Sequence, residues 1–163
     1  MRMVHAHVFA YGSLTEDGCG RPYRLRGWRR RWGVAMDNRR TIPGYKYFLD
    51  AAGARPAVHV AFLDLVPDPG SAVDGVVFEA GDLRALDARE RNYRRVELHA
   101  GAGPVWAYVG LAEARERYEA GPTVISRAYL ETVRAGFAAF GMGFGPEPEL
   151  PVMDLTRVEV PPA

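Results

Sequence analysis

The chain has one cysteine, Cys19, and one lysine, Lys46, among its 21 basic residues. A single cysteine excludes an intramolecular disulfide and a cysteine-rich metal site, and fits a reducing compartment. A phosphate-binding Gly-Lys-Ser/Thr loop or a Schiff-base lysine would have to use Lys46, and its setting, Gly44-Tyr45-Lys46-Tyr47, matches neither. No apolar run has the length of a membrane span, and Met1-Arg2-Met3-Val4-His5 lacks the character of a signal peptide, so a cytoplasmic protein is expected. Net charge is also small, +1 across 163 residues, which removes any general demand for a polyanionic partner.

What is present describes an ordinary globular chain, 48% hydrophobic and 25% charged, with one domain over residues 1–163 as the default. Val4, Ala6, Val8 and Ala10 alternate with His5, His7, Phe9 and Tyr11, the period of a two-faced strand. The alternation stops at Gly12-Ser13, where glycine's conformational freedom can turn the chain and aim backbone N–H groups at an anion or an oxyanion. A simple strand end explains the same residues. Further on, His59 to Val66 and Val73 to Glu79 read as strands, with Pro67-Asp68-Pro69-Gly70 as a closing turn and Gly75 as a bulge or close approach. The short connections favour antiparallel pairing. Tyr93 to Leu98 and Val105 to Val109 predict a hairpin, and Ser126 caps a helix with the stripe Leu130, Val133, Phe137, Phe140. Thr15 to Pro22 reads as irregular, and residues 142–163 as an extension that wraps the surface.

One helix carries a chemical signal. From an N-cap at Asp82, Leu83, Leu86, Glu90 and Tyr93 fall on one face, so an apolar stripe contains a glutamate. An inward carboxylate loses hydration, and its pKa rises toward the range of a general acid or base. The competing explanation is an ion pair with Arg94 at i+4.

Other chemistries find less support. Ser13 lacks the second glycine of a nucleophile elbow. His5 and His7 have no third metal ligand at a recognisable spacing. Gly141-Met142-Gly143-Phe144-Gly145 is followed by proline and does not open a nucleotide-binding helix. Residues 21–40 hold eight arginines and one acid, Asp37, with Tyr23, Trp28 and Trp32 interleaved. The stretch from Arg24 to Trp32 is therefore an alternative binding surface for single-stranded RNA or another anion, or a homodimer contact. Strand alternation gives the simpler account, with Trp28 and Trp32 in the core and most arginines solvated.

Three blocks together resemble the gamma-glutamylcyclotransferase-like family: Phe9-Ala10-Tyr11-Gly12-Ser13-Leu14, Val73-Asp74-Gly75-Val76-Val77-Phe78, and Leu86-Asp87-Ala88-Arg89-Glu90 followed by Tyr93-Arg94-Arg95-Val96. The resemblance spans roughly residues 5–141 and implies an α+β fold, a small, mainly antiparallel β-barrel with flanking helices. It also implies cyclisation of a gamma-glutamyl compound to 5-oxoproline with release of an amine, without metal or cofactor. Glu90 matches the catalytic glutamate, and Tyr11, Gly12, Ser13 and Leu14 match the substrate-holding loop, with Tyr108 as a further hydrogen-bond donor. Arg91 stands where glycine is common in the family. The acceptor stays open between an amino acid, an amine, an isopeptide and a protected biosynthetic intermediate.

Overall fold

The computed structural model describes residues 6–13, 20–99, 103–145 and 147–163. Its elements run β1 Ala6–Ala10, β2 Arg21–Asp37, β3 Lys46–Leu49, β4 His59–Ala80, α1 Leu83–Arg89, β5 Tyr93–His99, β6 Pro104–Gly110, α2 Ala112–Ala120, β7 Thr123–Ser126, α3 Arg127–Ala139, β8 Val152–Met153 and β9 Thr156–Glu159. The fold is α+β, with a mainly antiparallel sheet flanked by helices as the resemblance implies. The main sheet has the order β5-β6-β1-β4-β7-β8 with β2 also on β4, and no pairing among the described residues closes it from β5 to β8.

β4 is the axis. β2 runs antiparallel to it from Arg21↔Val77 to Asp37↔His59, while its other edge takes β1 near its C-terminal end and β7 at its start. Pro67-Asp68-Pro69-Gly70 does not reverse the chain as expected; it lies inside this one long strand. The pairing jumps from Trp28↔Pro67 to Arg26↔Ala72, so the turn residues form a bulge beside Gly27, whose φ of +85° lets β2 follow the bend. The Asp68 carboxylate steadies the bulge by accepting from the Ser71 hydroxyl at 2.7 Å. β2 also begins at Arg21, inside the stretch expected to be irregular. At Gly75 the expected close approach is found, since a Cβ there would lie 2.4 Å from the Ala10 carbonyl oxygen. The hairpin pairs β5 with β6 from Tyr93↔Gly110 to His99↔Pro104.

α3 follows its sequence signals. The Ser126 hydroxyl accepts from Tyr129 N, the stripe buries Leu130, Val133 and Phe137, and Phe140 is the C-cap with Gly141 at φ +69° beyond it. Each fully buried side chain of this kind stabilises the fold by about 1.5–3 kcal/mol. α1 departs from expectation by stopping at Arg89, so that Tyr93 begins a strand. Asn92 explains the stop: it is buried, donates to the Tyr45 hydroxyl at 2.9 Å, accepts from Arg117 at 3.0 Å, and its carbonyl takes Leu111 N. Those tertiary bonds require a turn immediately after Glu90.

The C-terminal residues carry two short strands. β8 pairs with β7, β9 pairs with β3 from Lys46↔Glu159 to Leu49↔Thr156, and Leu155 is buried.

Candidate active site

The end of β1 delivers Tyr11, Gly12 and Ser13 to the base of a cleft. The Tyr11 hydroxyl donates to the Tyr108 carbonyl at 2.5 Å, and its carbonyl accepts a long bond, 3.4 Å, from Arg30. Gly12 does not use a positive φ, contrary to the expectation from turn chemistry. Its requirement is space: a Cβ there would stand 3.3 Å from Leu63 Cδ1 and 3.5 Å from the Tyr129 hydroxyl. Leu14 and His5 lie outside the described residues.

Glu90, the C-cap of α1, reaches the same place. Its N–H donates to the Leu86 carbonyl at 2.9 Å and its carbonyl accepts from Tyr93 N at 3.0 Å, which fixes the corner. The carboxylate lines a small cavity of about 40 Å3 beneath the Tyr11–Ser13 loop and also a larger one of about 520 Å3. Ser13, Glu90, Tyr93 and Tyr129 line both, so the two spaces adjoin at the glutamate. Among the described residues no ion pair within 4.0 Å and no side-chain hydrogen bond engages this carboxylate. The competing explanation, an ion pair with Arg94, is not found among the described residues, because Arg94 sits on β5 rather than one helical turn onward. Burial raises the Glu90 pKa above its ordinary value, opposed by the positive charges of Arg89 and Lys46.

Tyrosines surround the acid and remain neutral. Burial raises the pKa of Tyr11 and Tyr93 well above normal, and the Tyr93 hydroxyl is held by the Leu63 carbonyl at 2.6 Å. Tyr108 lines the small cavity, but its hydroxyl donates to Asp87 at 2.7 Å rather than into the site. Tyr129, from the first turn of α3, packs edge-on to Phe62 and Trp32.

Sequence reasoning passed over Lys46. The ammonium sits 4.6 Å from the centre of the Phe62 ring and lines the larger cavity with Arg91, Arg157 and Glu159. Being the only lysine was its one sequence signal. The arginine-rich segment, in contrast, is largely absorbed by the fold. Trp32 is buried, Trp28 packs against the core, and Arg24, Arg29 and Arg31 face Asp74, Asp68 and Asp64 of β4 at 4.0, 3.4 and 3.3 Å. Among the described residues, no three His, Cys, Asp or Glu side chains are grouped to hold a metal ion, and no helix is long and apolar enough to cross a membrane.

The profile of the family described as gamma-glutamyl cyclotransferase, AIG2-like, matches residues 8–128. A solved structure named gamma-glutamyl cyclotransferase superposes with a TM-score of 0.54 at 17% identity, covering 85% of this chain and 81% of its own. An uncharacterized protein from Homo sapiens gives 0.52 at 18% identity, covering 84% and 80%. At these identities the likeness is one of fold. No curated protein matches the chain. β8 and β9 lie beyond the matched segment.

Proposed function

Because the chain belongs to the gamma-glutamyl cyclotransferase, AIG2-like family, we propose that it cleaves a gamma-glutamyl amide by cyclisation, with Glu90 as the proton carrier. The observation that carries this reading is the desolvated Glu90 carboxylate, unpaired among the described residues, at the junction of two cavities beside the Tyr11–Ser13 loop.

An α-ammonium is no nucleophile until it loses a proton. Glu90 takes that proton, and the freed nitrogen attacks the substrate's own γ-carbonyl carbon to close a five-membered ring. Glu90 then returns the proton to the leaving nitrogen as the old C–N bond breaks. The ring nitrogen's surplus proton leaves with the departing amine, so the products are 5-oxoproline, with a neutral lactam nitrogen and its α-carboxylate intact, and an ammonium. Nucleophile and electrophile belong to one molecule, which is why little machinery suffices. Its raised pKa suits Glu90 to both transfers. The loop of Tyr11, Gly12 and Ser13, continuing to Leu14, holds the substrate carboxylate or the oxyanion through backbone N–H groups. Tyr108, with its hydroxyl on Asp87, serves as a wall of the small cavity in this reading.

The test is 5-oxoproline release from a panel of gamma-glutamyl amino acids and gamma-glutamyl amines. Glu90→Gln, nearly isosteric, is expected to keep the fold and lower kcat by about 10³-fold, within the range of general acid–base catalysis. Undiminished release by Glu90→Gln removes Glu90 from the mechanism.

A further inference from the structure

We propose that Lys46 determines which acceptor the enzyme accepts: its ammonium binds a carboxylate on the leaving-amine portion of the gamma-glutamyl substrate. The assignment rests on the cyclotransferase reading and deepens it.

Position is the first argument. Lys46 lines the larger cavity and not the small one, whereas the loop residues Tyr11 and Gly12 line only the small one. A gamma-glutamyl head held by the loop, with its scissile bond at Glu90, must send its acceptor into the larger space. Lys46 is fixed there from two sides. The buried Asn38 accepts from Phe48 N at 2.7 Å and donates to the Phe48 carbonyl at 3.0 Å, which holds β3 against the sheet. On the other side β9 pairs Lys46 with Glu159, and Val160 N donates to the Tyr45 carbonyl at 2.8 Å.

Chemistry is the second. The ammonium rests 4.6 Å from the Phe62 ring centre and 5.3 Å from that of Tyr45, and among the described residues no carboxylate lies within 4.0 Å of it. Aromatic faces attract a cation without neutralising it. Nearby Glu159 is already engaged with Arg157, and Arg91 lies over the Tyr45 ring at 5.2 Å, which leaves the wall cationic. A cationic acceptor is repelled by this wall, a neutral amine finds no partner for Lys46, and an acceptor carboxylate completes a charge-assisted hydrogen bond. Burial supports the same conclusion, since it lowers the Lys46 pKa to about 8, with Arg157 and Arg89 pushing down and Glu90 and Glu159 holding up.

The experiment compares gamma-glutamyl-alanine with gamma-glutamyl-alaninamide, which differ only in the acceptor carboxylate, using the full chain, Lys46→Met and Lys46→Arg. The parent is expected to favour gamma-glutamyl-alanine at least tenfold in kcat/KM, as one charge-assisted bond provides. Lys46→Met should abolish that preference through KM, and Lys46→Arg should retain part of it. On the unsubstituted chain, KM for gamma-glutamyl-alanine should rise above about pH 8 as the ammonium loses its charge, with no matching rise for the amide. Arg89, Arg91, Arg157, Glu90 and Glu159 line the same cavity and meet both substrates alike, so the difference between the substrates reports Lys46. That arm stands if Lys46→Met fails to fold. Equal turnover of both substrates by the parent, a preference that survives Lys46→Met, or an equal loss on both substrates overturns the assignment and leaves the cyclotransferase reading standing. No release from either substrate by the parent overturns the reading and the assignment with it.

Discussion

Asp64 and Glu90 are both acids withdrawn from solvent, yet their surroundings could hardly differ more. Asp64, on β4, is 0% exposed and accepts from Leu65 N and Gly110 N at 2.8 Å and from Arg115 Nε at 2.9 Å, with Arg31 at 3.3 Å. Glu90 faces open cavities with no such donor among the described residues. The cations repeat the contrast. Arg30 is buried between the rings of Phe137 and Phe144 and spends its N–H groups on the carbonyls of Gly145, Asp74 and Tyr11. Lys46 also lies on aromatic rings, with no carboxylate within 4.0 Å of its ammonium among the described residues. Burial alone therefore does not mark a functional charge in this fold. The distinction is saturation: a charge whose hydrogen-bonding capacity is met by the chain supports structure, and one left unmet beside a cavity is available to a ligand.

The comparison is broken most directly at Asp64. Asp64→Ala strands two backbone N–H groups and removes the partner of Arg31 and Arg115, which keep partial access to water. Loss of a buried, multiply bonded acid of this kind costs about 3 kcal/mol. A chain of this length should then melt roughly 10 °C lower. Calorimetry of Asp64→Ala beside Glu90→Gln checks the pair. Equal destabilisation by both would erase the division between a structural and a reactive acid.

Arg30→Lys sharpens the same point on the cation side. Lysine keeps the charge but not the planar fork that places Nε and Nη2 on the Gly145 carbonyl at 3.1 and 2.8 Å, nor the stacking over Phe137. The expected loss is about 2 kcal/mol, read from the urea midpoint at unchanged slope. Burial lowers the Arg30 pKa only to about 10, so the group is charged at neutral pH and the effect measures geometry rather than ionisation. An unchanged midpoint would mean that any cation satisfies those carbonyls.

Local order governs what the sequence disclosed. The α3 stripe, its Ser126 cap and the β5–β6 hairpin are periodic or capped features, and they fold as read. The inward direction of Glu90 was visible too, although for an incomplete reason, because the helix carrying it ends one residue earlier. That end is set by Asn92 meeting Tyr45 and Arg117, residues far away in the chain. α2 offers no apolar stripe, burying only Ala114 and holding to the core through Arg115 on Asp64. Lys46 stayed hidden since its place depends on β9 arriving from the C-terminus to pair with β3. Turn residues at Pro67 to Gly70 misled because β2 is long enough to bridge both halves of β4 and make them one strand.

The smallest expected effect probes Glu90 without substrate. Burial raises its folded pKa, so between the ordinary carboxylate value and the raised one the native state binds more protons than the unfolded chain. Stability contributed by this group is present at low pH, falls as pH rises across that window, and stays lost above it. Glutamine has no charge to desolvate. Glu90→Gln should therefore melt above the parent at neutral pH, with the gap closing as pH falls below the ordinary carboxylate range. Paired melting curves across pH 4 to 8 would show it. If Glu90→Gln instead melts below the parent at neutral pH, the ionised carboxylate has a stabilising partner in the fold, and Glu90 joins Asp64 as a structural acid.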